Sequence, residues 1–225
     1  MTHPAQPELD WKDGAIPIAR AFDDPYFSLA GGLAETRHVF LAGNGLPERL
    51  ADGFQIAELG FGTGLNLLAL ALMWQAMGAP GTLRFTSFEA FPMAAPDMAR
   101  ALATFPEAAA ISAPLIAARA AGATEMALPG IRVALILGDA RQTLPLWPYR
   151  ADAWFLDGFS PAKNPEMWGE DLMAAVATHT APGGSFATYT AAGHVRRALA
   201  AAGFDVARQP GFAGKRHMSA GRLAP

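Results

Sequence analysis

The chain has 225 residues, of which 52% are hydrophobic and 16% charged; this composition builds a buried core and excludes a disordered segment. Seventeen Lys and Arg against 20 Asp and Glu leave a net charge of −3, which excludes a uniformly basic nucleic-acid binder. The charge is uneven: residues 190–225 hold Arg196, Arg197, Arg208, Lys215, Arg216 and Arg222 against Asp205 alone, a net +5, so the first 189 residues carry −8. A basic end on an acidic body suits an anionic partner docked locally.

In chain order, residues 1–50 are rich in Gly, Pro and Asp without a clean period, and read as an irregular N-terminal extension with short elements, packed on the rest of the chain. Residues 51–225 alternate strands and helices within a single domain. Phe54–Leu59 reads as a strand, followed by a helix over Leu65–Met77. Leu83–Glu89 is the next strand, followed by Ala-rich helical stretches from Ala94 to Ala118 that Pro106 and Pro114 should break. Arg132–Leu137 is a third strand, with a short helix near Gln142. Ala153–Leu156 is a fourth, ahead of a loop and a helix over Glu170–Thr180. Ser185–Tyr189 is a fifth, then a helix over Val195–Ala202, and Phe204–Ala207 with His217–Leu223 closes the chain as a hairpin. The pattern predicts an α/β fold, Rossmann-like, with a mostly parallel seven-stranded sheet and helices on both faces. Ligands of such sheets lie beyond the carboxyl ends of the strands.

Those ends are where the sequence is polar. The first carries Glu58-Leu59-Gly60-Phe61-Gly62-Thr63-Gly64-Leu65-Asn66, and its glycines allow a tight turn and close backbone approach at a helix N-terminus. The spacing is G-x-G-x-G behind an acid, not the G-x-G-x-x-G of a dinucleotide site. An acid there repels a pyrophosphate and attracts an ammonium. S-adenosylmethionine offers an ammonium, a ribose and a sulfonium. Glu89, 25 residues beyond Gly64, is suited to the ribose hydroxyls, and Asp139, with the Ala140 backbone, to the adenine amino group. A strand-end acid can also be a plain helix cap.

The fourth strand ends in Asp157-Gly158-Phe159-Ser160-Pro161-Ala162-Lys163-Asn164-Pro165-Glu166-Met167-Trp168. Asp157 at that tip can accept a hydrogen bond from an amine or take its proton. Phe159 offers a ring face to a planar base or a cation. Lys163 and Asn164 suit phosphate or base-edge contacts, and Lys215 and Arg216, in a Gly-rich loop, suit a phosphate backbone.

Together with Phe22–Ser28 (FDDPYFS), Gly32–Arg37 (GLAETR), Val39–Leu41, Gly43-Asn44 and Gly211–Met218 (GFAGKRHM), these strings resemble the methyltransferase part of the tRNA 5-methylaminomethyl-2-thiouridine biosynthesis family over nearly the whole chain. The sequence departs from the family pattern at Pro25, Ala90 and His217. The resemblance implies a class I S-adenosylmethionine-dependent methyltransferase acting on the exocyclic amine of 5-aminomethyl-2-thiouridine at the tRNA wobble position. It also implies that Asp24 and Tyr26 contact substrate. The partners it implies are tRNA and either a separate flavin-dependent oxidase or the enzymes that install the aminomethyl group. Bifunctional members continue into such an oxidase; this chain ends at Pro225 without a second glycine fingerprint, like a stand-alone form or an excised domain. A nicotinamide oxidoreductase, a binding module without turnover, and an amine methyltransferase with another substrate are the competing readings.

There is no cysteine, so disulfides, thiolate metal sites and cysteine nucleophiles are excluded, and no metal is expected. The polar start, with Glu8, Asp10, Lys12 and Asp13, does not read as a signal peptide. The most apolar run, Leu65–Ala79, is too short for a bilayer. A cytoplasmic location is the expectation.

Overall fold

The computed structural model describes residues 5–28 and 31–224, so the first four residues of the N-terminal extension and the terminal Pro225 lie outside the described residues. The chain begins with three short strands, β1 (Leu9–Lys12), β2 (Ile16–Ala19) and β3 (Asp24–Pro25), paired antiparallel in a small sheet of their own. Helix α1 (Gly32–Thr36) continues into a π-helical turn over Arg37–Leu41 and a 3-10 turn over Ala42–Asn44. Then come β4 (Gln55–Leu59), α2 (Leu65–Ala76), β5 (Leu83–Glu89), α3 (Ala95–Leu102), α4 (Ala109–Ala120), β6 (Glu125–Leu128) and β7 (Ile131–Leu137). The second half holds α5 (Ala140–Thr143), β8 (Ala151–Leu156), α6 (Glu170–Thr178), β9 (Thr180–Thr188), α7 (Gly193–Ala201), β10 (Phe204–Pro210) and β11 (His217–Leu223).

The main sheet has eight strands in the order β10-β11-β9-β8-β4-β5-β7-β6, not seven. Strands β4, β5, β7, β8 and β9 are parallel; β11, β10 and β6 are antiparallel to their neighbours. The additional strand is β6, an exposed edge that pairs with β7 across the Pro129-Gly130 turn. From β4 the chain winds outward to β5 and β7, then returns to the other side of β4 for β8 and β9. The strand order therefore reverses between β4 and β8, and a crevice opens beyond the carboxyl ends of those two strands.

Alternation along the strands divides the core in two. Ile56, Phe85, Val133 and Phe155 face α2, α3, α4 and the N-terminal segment. Ala57, Leu59, Trp154, Leu156 and Phe186 face α5, α6 and α7. Helix α2 has no polar face, and Leu67, Leu68, Ala69, Leu70 and Ala71 are all fully buried. A helix apolar all round must be covered on both sides. Here the sheet covers one side, and Leu33, Val39, Phe40 and Leu41 belong to the cluster that covers the other. The N-terminal segment is thus a layer of the main core.

Two boundaries differ from the sequence reading for local reasons. Pro114 lies inside α4 and does not break it; Pro114 and Ala110, whose carbonyl loses its donor, are both exposed, so water can satisfy that group. The fifth strand, expected over Ser185–Tyr189, begins already at Thr180 as β9, takes in Pro182-Gly183-Gly184, and has a register irregularity opposite Ala151–Ala153. No helix among the described residues is long and apolar enough to cross a membrane, and no cluster of acids and histidines among them could hold a metal ion.

Candidate active site

Beyond the ends of β4, β5, β7 and β8 lies a cavity of about 960 Å³, closed on its other side by the N-terminal segment and by the residues after β9 and before β11. Of the residues expected from sequence, Gly60, Gly62, Asn66, Glu89, Asp139, Ala140, Asp157, Phe159, Asp24, Tyr26, Lys163, Asn164 and Lys215 line it. Glu58, Gly64 and Arg216 are not among its lining residues.

The glycine turn runs from β4 into α2. Gly64 caps α2 in the left-handed region at φ 81°, where a Cβ would meet the Phe61 ring at 2.9 Å and Leu115 at 3.1 Å. Its role is to make the turn and let α2 seat, not to approach a ligand. Gly62, at φ 52°, does border the cavity, and a Cβ there would reach Tyr26 at 3.0 Å. Its amide donates to Glu89 Oε2 at 2.9 Å, and the amide of Phe91 donates to Oε1 at 2.7 Å. Burial raises the pKa of Glu89, and these backbone donors pull it back. The backbone amides of Phe61 and Ala90 also lower it, and the carboxylate borders the cavity beside the glycine turn.

Glu58 is a correction. It is fully buried, accepts from Ser87 Oγ at 2.6 Å and Asn66 Nδ2 at 2.8 Å, and does not reach the cavity. Strand alternation explains why: Glu58 shares the face of Ile56, under α2, where the first turn of that helix covers it. Burial pushes its pKa well above the usual range; the two donors lower it, while Asp157 and Glu89 raise it further. Asn66, which lines the cavity, stands between it and Glu58.

Asp157 is the best placed base. Its Oδ1 accepts from the Gly158 amide at 2.8 Å and its Oδ2 from Asn66 at 2.8 Å. Burial raises its pKa from 3.8 to about 6; the two hydrogen bonds oppose that rise, and Glu35 adds to it while Lys215 subtracts. Asn66, read from sequence as a cofactor residue, spends both amide hydrogens on Glu58 and Asp157, and its oxygen accepts from Thr36 Oγ1 at 2.9 Å. The loop after Asp157 is pinned from three directions. Tyr189 Oη donates to Gly158 O at 2.9 Å, Trp168 Nε1 to Phe159 O at 2.9 Å, and Ser160 N to Asp24 Oδ2 at 2.7 Å.

Four other expected residues, Phe159, Asp139, Lys163 and Lys215, have prior partners. Phe22 stacks on the Phe159 ring at 4.5 Å and Tyr26 meets it in a T-shaped contact at 5.1 Å, so one face of that ring is already covered by protein. Asp139 caps α5 through the Arg141 amide at 2.9 Å and is gripped by the Arg141 guanidinium, which holds its pKa below the usual range. An adenine amino group would have to share it. The cavity cations are likewise paired: Lys163 with Asp23, Arg141 with Asp139 and Glu166, and Lys215 with Glu35.

Sequence reasoning missed Glu35, Thr36 and Tyr189. The first two fall inside the quoted Gly32–Arg37 string, and Tyr189 is a polar-tipped residue just past a strand end, the same kind of position as Asp157.

A family model described as S-adenosyl-L-methionine-dependent methyltransferase matches residues 102–224. The chain is 47% identical over 224 residues to the tRNA 5-methylaminomethyl-2-thiouridine biosynthesis bifunctional protein MnmC of Caulobacter vibrioides, covering 96% of this chain and 38% of that protein. It is 49% identical over 225 residues to the protein of the same name from Pseudomonas aeruginosa, covering 95% of this chain and 34% of that one. The chain thus spans about a third of the length of these relatives. The crystal structure of MNMC2 from Aquifex aeolicus superposes with a TM-score of 0.79 at 28% identity, covering 98% of this chain and 72% of that one. A glycopeptide N-methyltransferase, MtfA, complexed with S-adenosyl-L-methionine shares the fold, with a TM-score of 0.51 at 17% identity over 89% of this chain and 90% of that one.

Proposed function

The chain belongs to the S-adenosyl-L-methionine-dependent methyltransferases, and from that premise we propose that it methylates the exocyclic amine of 5-aminomethyl-2-thiouridine at the wobble position of tRNA. The observation that carries this reading is Asp157: a half-buried carboxylate at the strand tip beside the topological switch, with both oxygens fixed by donors and its proton affinity raised. The names of the relatives, which specify 5-methylaminomethyl-2-thiouridine and tRNA, supply the substrate. The setting is the cytoplasm, with an oxidase or an aminomethyl-installing enzyme supplying the amine.

When bound, S-adenosyl-L-methionine supplies a sulfonium methyl that an amine displaces, forming a C–N bond while the C–S bond pair goes to sulfur. Glu89 and the Gly60–Thr63 turn hold the nucleoside end of the donor, and Asn66 orients Asp157. A free alkylamine has a pKa near 10, so deprotonation at neutral pH costs about 4 kcal/mol. Raising Asp157 from 3.8 to about 6 narrows the proton-transfer gap by about 3 kcal/mol. Asp157 accepts the ammonium hydrogen bond and then the proton, leaving the nitrogen lone pair free to react. The remaining gain comes from positioning in the cavity.

All three cavity cations are paired with acids, so phosphates are met outside it, by exposed residues such as Arg197 and Arg216. The test is to incubate the chain with methyl-labelled S-adenosylmethionine and tRNA bearing 5-aminomethyl-2-thiouridine, then digest to nucleosides. Label in 5-methylaminomethyl-2-thiouridine is the expected result. Label elsewhere, or none while the donor binds, removes this reading.

A further inference from the structure

Glu35 is the most enclosed acid that pairs with a cation in the cavity wall. Its side chain is 11% exposed, against 64% for Glu166 and 91% for Asp23. Its partner is the ammonium of Lys215, 2.7 Å from Oε1 and 5.1 Å from the centroid of the Tyr189 ring. A carboxylate on one side and an aromatic face on the other is the environment that proteins use to hold an ammonium group.

The group filling this place is only loosely owned by it. Lys215 comes from the loop between β10 and β11, its side chain is half exposed, and its backbone neighbours Ala213 and Gly214 both take left-handed φ, 43° and 87°. The loop turn is closed by the Lys215 amide donating to Phe212 O at 3.0 Å, without help from the ammonium. A carboxylate as enclosed as Glu35 is costly to leave unpaired, so the place calls for a cation at every stage. Tyr189 also latches the Asp157–Gly158 turn through its hydroxyl, so the ring that faces this ammonium is fixed to the loop that carries the base.

Resting on the amine reading above, we propose that Glu35 and the Tyr189 ring form the receiving subsite for a primary ammonium of the substrate, beside Asp157, and that Lys215 is a tethered stand-in which the substrate displaces. Glu35 then selects the cation, and Asp157 takes its proton. A tethered ligand competes at an effective concentration in the millimolar range, so Lys215 holds down substrate affinity until it is displaced.

The experiment measures Kd for two anticodon stem-loops in the presence of S-adenosylhomocysteine, one with 5-aminomethyluridine at the wobble position and one with 5-methyluridine. Their ratio isolates what the amine contributes. In the unaltered chain the amine should tighten binding about tenfold, the scale of one charge-assisted hydrogen bond. Glu35→Gln should bring the ratio close to one, and Lys215→Met should enlarge it several-fold. A ratio that Glu35→Gln leaves unchanged, or that Lys215→Met reduces, overturns the subsite. Should Glu35→Gln not fold, Lys215→Met, a change on a half-exposed side chain, decides alone. If the unaltered chain binds neither stem-loop, the RNA reading itself fails and takes the subsite with it. Binding and methylation with an unmoved ratio remove only the subsite.

Discussion

Asn66 donates to Asp157 Oδ2 at 2.8 Å, across 91 positions of sequence. Its second amide hydrogen goes to Glu58 at 2.8 Å, so one neutral side chain separates a fully buried acid from half-buried Asp157 and orients the latter, which faces the cavity. Asn66→Asp keeps the shape, removes both donors and sets a third acid between the other two. Its kcat should fall at least tenfold, and the acidic limb of its pH profile should move to higher pH. Steady-state kinetics between pH 5 and pH 9 check this, and an unmoved limb would show that Asn66 does not act through Asp157.

The unaltered enzyme has its own pH signature. Asp157 must be ionised to accept a proton, and burial places its pKa at about 6 instead of 3.8. Below pH 6, kcat/KM should therefore fall about tenfold per pH unit. A profile flat down to pH 4.5 would leave Asp157 without the role of base.

The same shift has a cost in stability. The folded pKa of Asp157 lies above the ordinary value, so the native state binds the proton more tightly than the unfolded chain does. Below about pH 4 the residue costs nothing. As pH rises to about 6 stability is lost, and the loss is complete above that. Asp157→Asn should accordingly be more stable at pH 7, by about 1–3 kcal/mol, and no more stable at pH 4. Thermal melts at the two pH values measure the difference.

Much of this arrangement was legible because ligand-facing residues at strand tips are marked by glycines and acids in otherwise apolar runs. Glu89, Asp139 and Asp157 were found that way, and all three line the cavity. Glu58 carries the same mark, but the two-residue period of β4 sends it under α2, a distinction that needs the end of the strand to be known to the residue. Glu35 and Thr36 carry no local mark; they reach the site because the uniformly apolar α2 needs a cover and the N-terminal segment supplies it. The edge strand Glu125–Leu128 is short and half exposed, so it lacks the apolar run that betrays a central strand.

The glycine turn separates folding from binding. Gly64→Ala puts a Cβ within 2.9 Å of Phe61 in a left-handed conformation and should destabilise the fold by about 1–3 kcal/mol. Glu89→Ala should leave the fold intact and weaken S-adenosylmethionine binding by about 1–3 kcal/mol, the loss expected for the donor contact proposed above. Chemical denaturation reads the first change and titration calorimetry the second.

Phosphate contacts are expected outside the acidic cavity. Arg197→Ala and Arg216→Ala should each reduce the slope of log affinity for tRNA against log salt by about one, while S-adenosylmethionine affinity stays constant. Slopes that overlay the unaltered chain would place the docking face elsewhere.

At the centre of the proposed chemistry, Asp157 handles the proton of an amine nucleophile at the donor's methyl group. Its most direct test is single-turnover transfer of labelled methyl to tRNA bearing 5-aminomethyl-2-thiouridine, comparing the unaltered chain with Asp157→Asn at matched donor and tRNA occupancy. The expected result is transfer by the unaltered chain and at least a hundredfold slower transfer by the variant at pH 7, with the gap narrowing as pH rises and the amine loses its proton unaided. Equal rates in the two proteins at pH 7 would contradict that role.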